Sequence, residues 1–328
     1  MTDVLETAAA SASGPASGQT ALDRARSAFR ADLLDAGLLI GTSVPGIYGR
    51  SATFEAILNG LDRVLTEMAA PLNATALRFP PVYPRADFER TDYIASFPDL
   101  SGVVSSFERG DREHRELLVA REQGEAWDGW LDPTDVVLTN AICHPLYATL
   151  EGRMPEGGGV YDIFGFGFRR EPSLDPMRMQ SFRMHEFVYV GDPDGAQEYR
   201  DSWLDRAVET LQSLGLPVET VAANDPFFGR AGKMLISAQL RENLKIELVV
   251  PIYVDSNGQN LADPTAIASA NCQRDHLTAA FGIRTSDGNV AHASCLAFGM
   301  ERTTLALLRT HGLDVGAWPL DMRARLGL

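Results

Sequence analysis

The chain has 328 residues, and 29 Lys and Arg against 44 Asp and Glu give a formal net charge of −15. With 45% hydrophobic and 22% charged residues it reads as a globular protein long enough to bury a sizeable core, which excludes a largely disordered chain. The acidic balance argues against a large polyanionic partner, no run approaches the roughly 18 apolar residues of a membrane helix, and the start MTDVLETAAASASG lacks the basic and apolar regions of a signal peptide. Residues 1–20, with AAASASGPASGQT at 7–19, are small and polar and predict a disordered tail ahead of one domain over 21–328. From Thr53, Phe54, Ile57, Leu58, Leu61, Val64, Leu65 and Met68 fall on one helical face, and Pro71 ends the pattern. The segment Ala76–Val82, with paired prolines, reads as a strand running to a sheet edge. The stretch 107–130, FERGDREHRELLVAREQGEAW and onward, is dense in both charges with a thin stripe at Leu117 and Leu118, which predicts a solvated surface helix open to a partner. Val160–Phe168 and Ser181–Val190 alternate and predict two antiparallel strands joined by a long loop carrying Pro172 and Pro176. Gly195–Leu214 returns to helical spacing with Tyr199, Trp203, Val208 and Leu211, closed by Gly215 and Pro217. Lys245–Ile252 and Ala291–Phe298 are further strands, the second running into a helix over Gly299–His311. Hairpin strands mixed with flanking helices imply an α+β fold. Neither GxGxxG nor GxxxxGK[ST] occurs, so the two common phosphate-cradling loops are absent.

Three constellations carry chemistry. On the strand Ser181–Val190, Glu186 shares a face with Phe182, Met184, Val188 and Val190, and a carboxylate on an apolar face needs a hydrogen-bond partner, a cation or a metal. An arginine partner is one resolution. Cys295, between Ala293 and Ala297 on its strand, has open space before its thiol, and Cys143 stands next to a histidine in Asn140-Ala-Ile-Cys-His-Pro145. Three donors from distant segments suit zinc with a fourth position open, whereas a lone cysteine is more often an inert buried thiol. The cysteines, 143, 272 and 295, are odd in number and scattered, which fits a reducing, cytoplasmic compartment. In Phe168-Arg-Arg-Glu171, Arg169 and Glu171 project to one side, as a phosphate grip and an amino-group acceptor or as a surface ion-pair ladder. In Phe298-Gly-Met-Glu-Arg302, an arginine sits in the first turn of a helix, where anions are already favoured.

Taken in order, these segments resemble a class II aminoacyl-tRNA synthetase catalytic domain, and the seryl-tRNA synthetase branch most closely. FRRE at 168–171 resembles the family's motif 2, and Ala293-Ser-Cys-Leu-Ala-Phe-Gly-Met-Glu-Arg302 its motif 3. Lys245-Ile-Glu-Leu-Val-Val-Pro251 and Ala266-Ile-Ala-Ser-Ala-Asn-Cys-Gln-Arg274 resemble the strand and the serine-rich loop that line the ATP and amino-acid pocket. Only about 50 residues precede the first strong helix, so the long tRNA-holding hairpin of bacterial seryl enzymes is expected to be missing. Cys143, Glu186 and Cys295 fall where archaeal-type seryl enzymes, and a small bacterial group, hold catalytic zinc. That group is the amino acid:[carrier protein] ligases, which the chain resembles in LRFPPV, SFP at 96–98, FRREPS, QSFRM, DPFFGR at 225–230 and AFGMER.

The resemblance implies a mostly antiparallel sheet flanked by helices, a homodimer built through the 53–82 region, and a two-step reaction. ATP and a small amino acid, glycine or alanine, give an aminoacyl-adenylate, which passes to the phosphopantetheine thiol of a carrier protein. It assigns Arg169 to the α-phosphate and Arg302 to the γ-phosphate, Glu171 to the adenine amino group, Arg178 and Met179 to places beside the nucleotide, and Glu247 to Mg²⁺. Ala266, Ile267, Ala268 and Ser269 would form a pocket wall, Asn271 would orient the amino acid, and Glu186 with Cys143 and Cys295 would hold zinc that takes the substrate amine. Cys272 is expected to be a free thiol outside the site. The small-substrate reading rests on Ala266, Ala268 and Ala270, which present no polar partner for a serine hydroxyl. A minimal tRNA-charging enzyme, against which the charge and the missing arm stand, and a non-catalytic binding module are the alternatives.

Overall fold

The computed structural model describes residues 20–224 and 244–328. The tail expected over 1–20 lies outside these residues except for Thr20, and so does DPFFGR at 225–230. Thr20 belongs to the folded chain. It closes a capping box with Asp23 at the start of helix α1 (Ala21–Asp35). Helix α2 (Ala52–Ala69) begins where Ser51 accepts from the amide of Phe54, and it buries Phe54, Ile57, Leu58, Leu61, Val64 and Leu65. Gly60 lets the C-terminal helix Leu320–Leu326 cross α2 closely, since a Cβ there would collide with the carbonyl of Leu326. A one-turn 3₁₀ helix containing Pro71 then ends α2.

The strand expected over 76–82 divides in two. Strand β1 (Thr75–Leu77) joins the main sheet, and Val82–Pro84 joins a separate three-stranded sheet with Asp132–Leu138 and Val103–Ser106. Pro80 and Pro81 between them have no N–H to give to either ladder. Within 107–130, helix α3 (Asp111–Glu122) is shorter than expected and buries only Ala120, so a solvated helix is what forms.

The main sheet has seven strands: β1, β2 (Gly159–Phe168), β3 (Ser181–Gly191), β4 (Glu219–Ala222), β5 (Lys245–Val250), β6 (Thr265–Arg274) and β7 (His292–Gly299). Their order is β4-β5-β6-β7-β3-β2-β1, and every pairing is antiparallel except β1 with β2. The expected hairpin is present in full register from Phe168 opposite Ser181 to Gly159 opposite Val190. Residues 266–274, expected as a loop, are strand β6 instead, because β5 and β7 satisfy its backbone on both sides.

One face of the sheet packs on α2, α4 (Pro193–Ser213) and α5 (Met300–His311), forming a core that includes Leu58, Leu61, Phe187, Trp203, Leu211, Phe298 and Leu305. The other face carries a smaller core around Cys143, Tyr147, Val188, Phe281 and Cys295. Charges on strand β3 behave differently on its two sides. Arg183 and His185 point to the helices and are paired there, while Glu186 points the other way. Among the described residues no helix is long and apolar enough to cross a membrane.

Candidate active site

A cavity of about 480 Å³ lies on the second face of the sheet, over β3, β6 and β7. Alternation on β3 sends Phe182, Met184 and Glu186 into it, as the sequence implies. Arg169 and Glu171, just beyond the end of β2, close one end. Arg169 donates from Nε to the carbonyl of Asn140 at 3.1 Å and lies 5.5 Å from the ring centroid of Phe182, so its guanidinium is aimed before any substrate arrives.

Arg302 enters the same end from the first turn of α5, donating from Nε to the Met177 carbonyl at 2.9 Å and from Nη1 to the Ala266 carbonyl at 3.3 Å. Burial, and then the neighbouring Arg169 and Arg178, pull its pKa below the ordinary arginine value. Converging cations in a desolvated pocket are stabilised by an anion, which is the property a nucleotide triphosphate site needs. Met179 lines the wall, but Arg178 does not; its side chain is half exposed and its Nη1 is 4.0 Å from Glu171 Oε1. Glu247, with Ala266, Ile267, Ala268, Ser269 and Asn271, lines the cavity as expected. The Glu247 carboxylate sits 3.3 Å from Lys245 Nζ, a neighbour two positions away on β5 that sequence reasoning passed over although the shared strand face made it legible.

Cys143, Glu186 and Cys295 also line the cavity, within reach of the Arg169 charge. Cys143 caps the short helix His144–Thr149, and Cys295 pairs across the ladder with Val188 on β3 and Asn271 on β6. Glu186 lies between the two thiols and accepts from Cys295 Sγ at 3.6 Å. All three are buried, and burial holds both thiols well above the usual thiol range and the carboxyl above the usual carboxylate range. Among the described residues no group of three or more His, Cys, Asp or Glu is arranged to hold a metal ion, and the three side chains are joined to one another by hydrogen bonds instead.

Cys272, expected as a free thiol outside the zinc site, is free and stands apart from the Cys143–Glu186–Cys295 hydrogen bonds, although it lines the same cavity. The structure corrects one expectation. Ala270 is packed in the helix-side core, while Ser269, Asn271 and Gln273 of the same strand face the cavity, so the wall is more polar than the alanines alone suggest. Those groups bond within the protein: Asn271 Nδ2 donates to Ser269 Oγ at 3.0 Å, and Tyr147 donates to Gln273 Oε1 at 2.7 Å. Also unforeseen are His144, whose pKa is lowered to about 4 by burial and by Arg169, and the exposed pair His276 and Asp92 at 3.3 Å. Asp92 and His276 are 184 residues apart, and no periodicity joins them.

No family model matches the chain. It is 41% identical over 286 residues to amino acid–[acyl-carrier-protein] ligase 2 of Bradyrhizobium diazoefficiens, an alignment that covers 87% of this chain and 84% of that protein. The chain belongs to the amino acid–[acyl-carrier-protein] ligase family. It is also 26% identical over 288 residues to the type-2 serine–tRNA ligase of Methanopyrus kandleri, covering 81% of this chain and 53% of that protein, so it spans about half of the archaeal enzyme's length. The crystal structure of M. kandleri seryl-tRNA synthetase in complex with Aquifex aeolicus tRNASec superposes with a TM-score of 0.76 at 21% identity, over 96% of this chain and 62% of that one. The ligase family member described here therefore has the class II synthetase fold, as the FRRE and FGMER segments imply.

Proposed function

We propose that the protein uses ATP to activate a small amino acid, glycine or alanine, and passes it to the phosphopantetheine thiol of a carrier protein. The observation that carries this reading is that one cavity gathers Arg169 and Arg302 together with a buried Cys143–Glu186–Cys295 cluster. In the first step a carboxylate oxygen of the amino acid attacks the α-phosphorus, the α–β phosphoanhydride bond breaks, and pyrophosphate leaves. Negative charge grows on phosphate oxygens, and preorganised guanidinium groups stabilise it. Arg169 takes the α-phosphate and Arg302 the γ-phosphate. Glu171 accepts from the adenine amino group, with Arg178 and Met179 beside the nucleotide and Ala266–Ser269 as its wall. Glu247 serves the Mg²⁺ that accompanies ATP. In the second step the thiol sulfur attacks the acyl carbon, its proton is lost, and AMP leaves as the thioester forms.

In the same cavity, Cys143, Glu186 and Cys295 would hold one zinc ion. The donor chemistry supports this: two thiols and a carboxyl, all buried, share hydrogen bonds with one another on the wall of the cavity. Zinc there would bind the substrate's unprotonated amine and so select amino acids over hydroxy acids. Asn271, beside Cys295 in the ladder, orients the substrate. The small-substrate reading is supported by the wall's internal hydrogen bonds, which a serine hydroxyl would have to displace.

The net charge of −15 favours a carrier protein over tRNA as acceptor. The segment 107–130, with Leu118, Val119 and Trp127 exposed, is a candidate docking element for that carrier. A homodimer through 53–82 is supported by the open edge at β1, where Thr75 and Ala76 are exposed, and a cytoplasmic location by three free cysteines. Residues 21–328 are taken as one catalytic domain. ATP–pyrophosphate exchange measured with each amino acid tests the reading. Exchange dependent on glycine or alanine is expected, and no exchange with any amino acid would overturn it. Elemental analysis is expected to give one zinc per chain, and zinc-free active protein would remove the metal from the account.

A further inference from the structure

Next to Arg302 lies a carboxylate that a phosphate-binding arginine does not obviously want. Glu301 is buried in the first turn of α5 and lines the same cavity. Its oxygens are fully occupied: Oε2 accepts from the backbone N–H of Arg183 at 2.5 Å, Oε1 accepts from Arg183 Nε at 2.8 Å, and Arg50 Nη2 is 3.2 Å from Oε1. Arg183 is satisfied in turn, since its Nη1 and Nη2 donate to both oxygens of Glu55 on α2 at 2.6 and 2.7 Å. Arg50 also donates to the Ser181 carbonyl at 2.9 Å. Two arginines and two glutamates thus form a closed lattice joining α2, the strand Tyr48–Arg50, β3 and α5.

The lattice does two things at once. It ties the first turn of α5 to β3, which fixes the direction in which Arg302 leaves the helix. It also keeps the Glu301 charge engaged, so that the carboxylate neither repels phosphate nor draws the adjacent guanidinium out of the cavity. We propose that Arg183 is a positioning residue for ATP: by neutralising Glu301 and anchoring it to β3, it keeps Arg302 free to grip phosphate. Arg183 need not touch the substrate. This deepens the adenylation reading above and rests on it only for the identity of the anion.

The test is calorimetric titration of MgATP, alongside pyrophosphate exchange, for wild type, Arg183→Met, Arg183→Lys, Glu301→Gln and Arg183→Met/Glu301→Gln. Arg183→Met is expected to weaken MgATP binding about tenfold or more with the amino-acid KM little changed. Arg183→Lys is expected to lose less than Arg183→Met. The decisive outcome is rescue: the double variant removes the carboxylate that Arg50 alone would then pair, and is expected to bind MgATP several-fold more tightly than Arg183→Met alone. A purely structural role makes the double variant no better than the single one, and that result would overturn the proposal, as would Arg183→Met binding MgATP like wild type. Should Arg183→Met fail to fold, Arg183→Lys decides: unchanged MgATP affinity in that variant, together with unchanged affinity in Glu301→Gln, counts against the role. A wild-type protein that binds MgATP but performs no exchange with any amino acid would instead break the adenylation reading and leave the binding comparison intact.

Discussion

The two faces of strand β3 carry the same kinds of side chain and treat them oppositely. Toward the helices, Arg183 meets Glu55 and Glu301, and His185 lies between Asp62 and Asp162 at 2.9 and 3.1 Å, so each buried charge has counter-charges. Toward the cavity, one residue away, Glu186 accepts from the thiols of Cys143 and Cys295, and Arg169 acts on it only through space. Burying a carboxylate in that way opposes folding, whereas a matched pair largely offsets its own desolvation. A position that keeps such a group points to a ligand that completes it. The helix-side charges hold the sheet on α2 and α5, whereas the cavity-side carboxyl holds only the two thiols beside it.

Breaking the paired face should cost the most. Glu301→Ala leaves Arg50 and Arg183 short of a partner and is expected to destabilise the fold by about 3 kcal/mol, at the low end for a broken buried pair because Glu55 still binds Arg183. Chemical denaturation measures it, and a loss under about 1 kcal/mol would show that the lattice is not structural. Arg302→Ala is expected to lower exchange on the order of 100- to 1,000-fold with the fold and any bound zinc retained, because its partners are two carbonyl oxygens that neighbouring water can satisfy. Exchange within a few-fold of wild type would remove Arg302 from the phosphate site.

Glu186→Gln sharpens the contrast from the other side. In chelator-treated protein it is expected to leave stability unchanged or to raise it by about 1 kcal/mol, by removing a buried ionisable group that has no cation hydrogen-bonded to it, while abolishing zinc uptake. A clear drop in stability would place Glu186 with the paired charges. The smallest effect is at Glu55, whose pKa is held below its ordinary 4.5 chiefly by hydrogen bonds from Arg183, against partial burial. A depressed carboxylate pKa gives stability that is present above the unfolded value and lost as pH falls through the folded one. Glu55→Gln is therefore expected to flatten the acid limb of the stability curve below about pH 4.5 by under 1 kcal/mol, given that Glu55 is one-third exposed. An acid limb identical to wild type would contradict the pairing.

How much of this was legible before the structure follows the range of each interaction. Helix α2 and the β2–β3 hairpin could be read because each buries one face, and burial on one face imposes a period on the chain. The same alternation put Glu186 on the cavity side with Phe182 and Met184. Strand β6 was misread because Ala-Ser-Ala-Asn lacks the branched and aromatic residues that usually mark a strand; its neighbours β5 and β7, not its own propensity, make it one. The meeting of Glu186 with Cys295, 109 positions away, is a product of sheet order that no local pattern encodes; donor chemistry alone suggested it, and the family resemblance strengthened it. Glu301 illustrates the same gap: inside the FGMER segment it stood next to the residue that drew notice, and its partner Arg183 lies 118 positions earlier.

Transfer of the activated amino acid to a carrier-protein thiol is the step that separates the proposed function from tRNA charging. Incubation with ATP, labelled glycine or alanine, phosphopantetheinylated carrier protein and total tRNA in one reaction measures it directly. Label is expected on the carrier as a hydroxylamine-sensitive thioester, with AMP formed in equal amount. Label on the tRNA with the carrier left bare would contradict the account and make the chain a tRNA-charging enzyme.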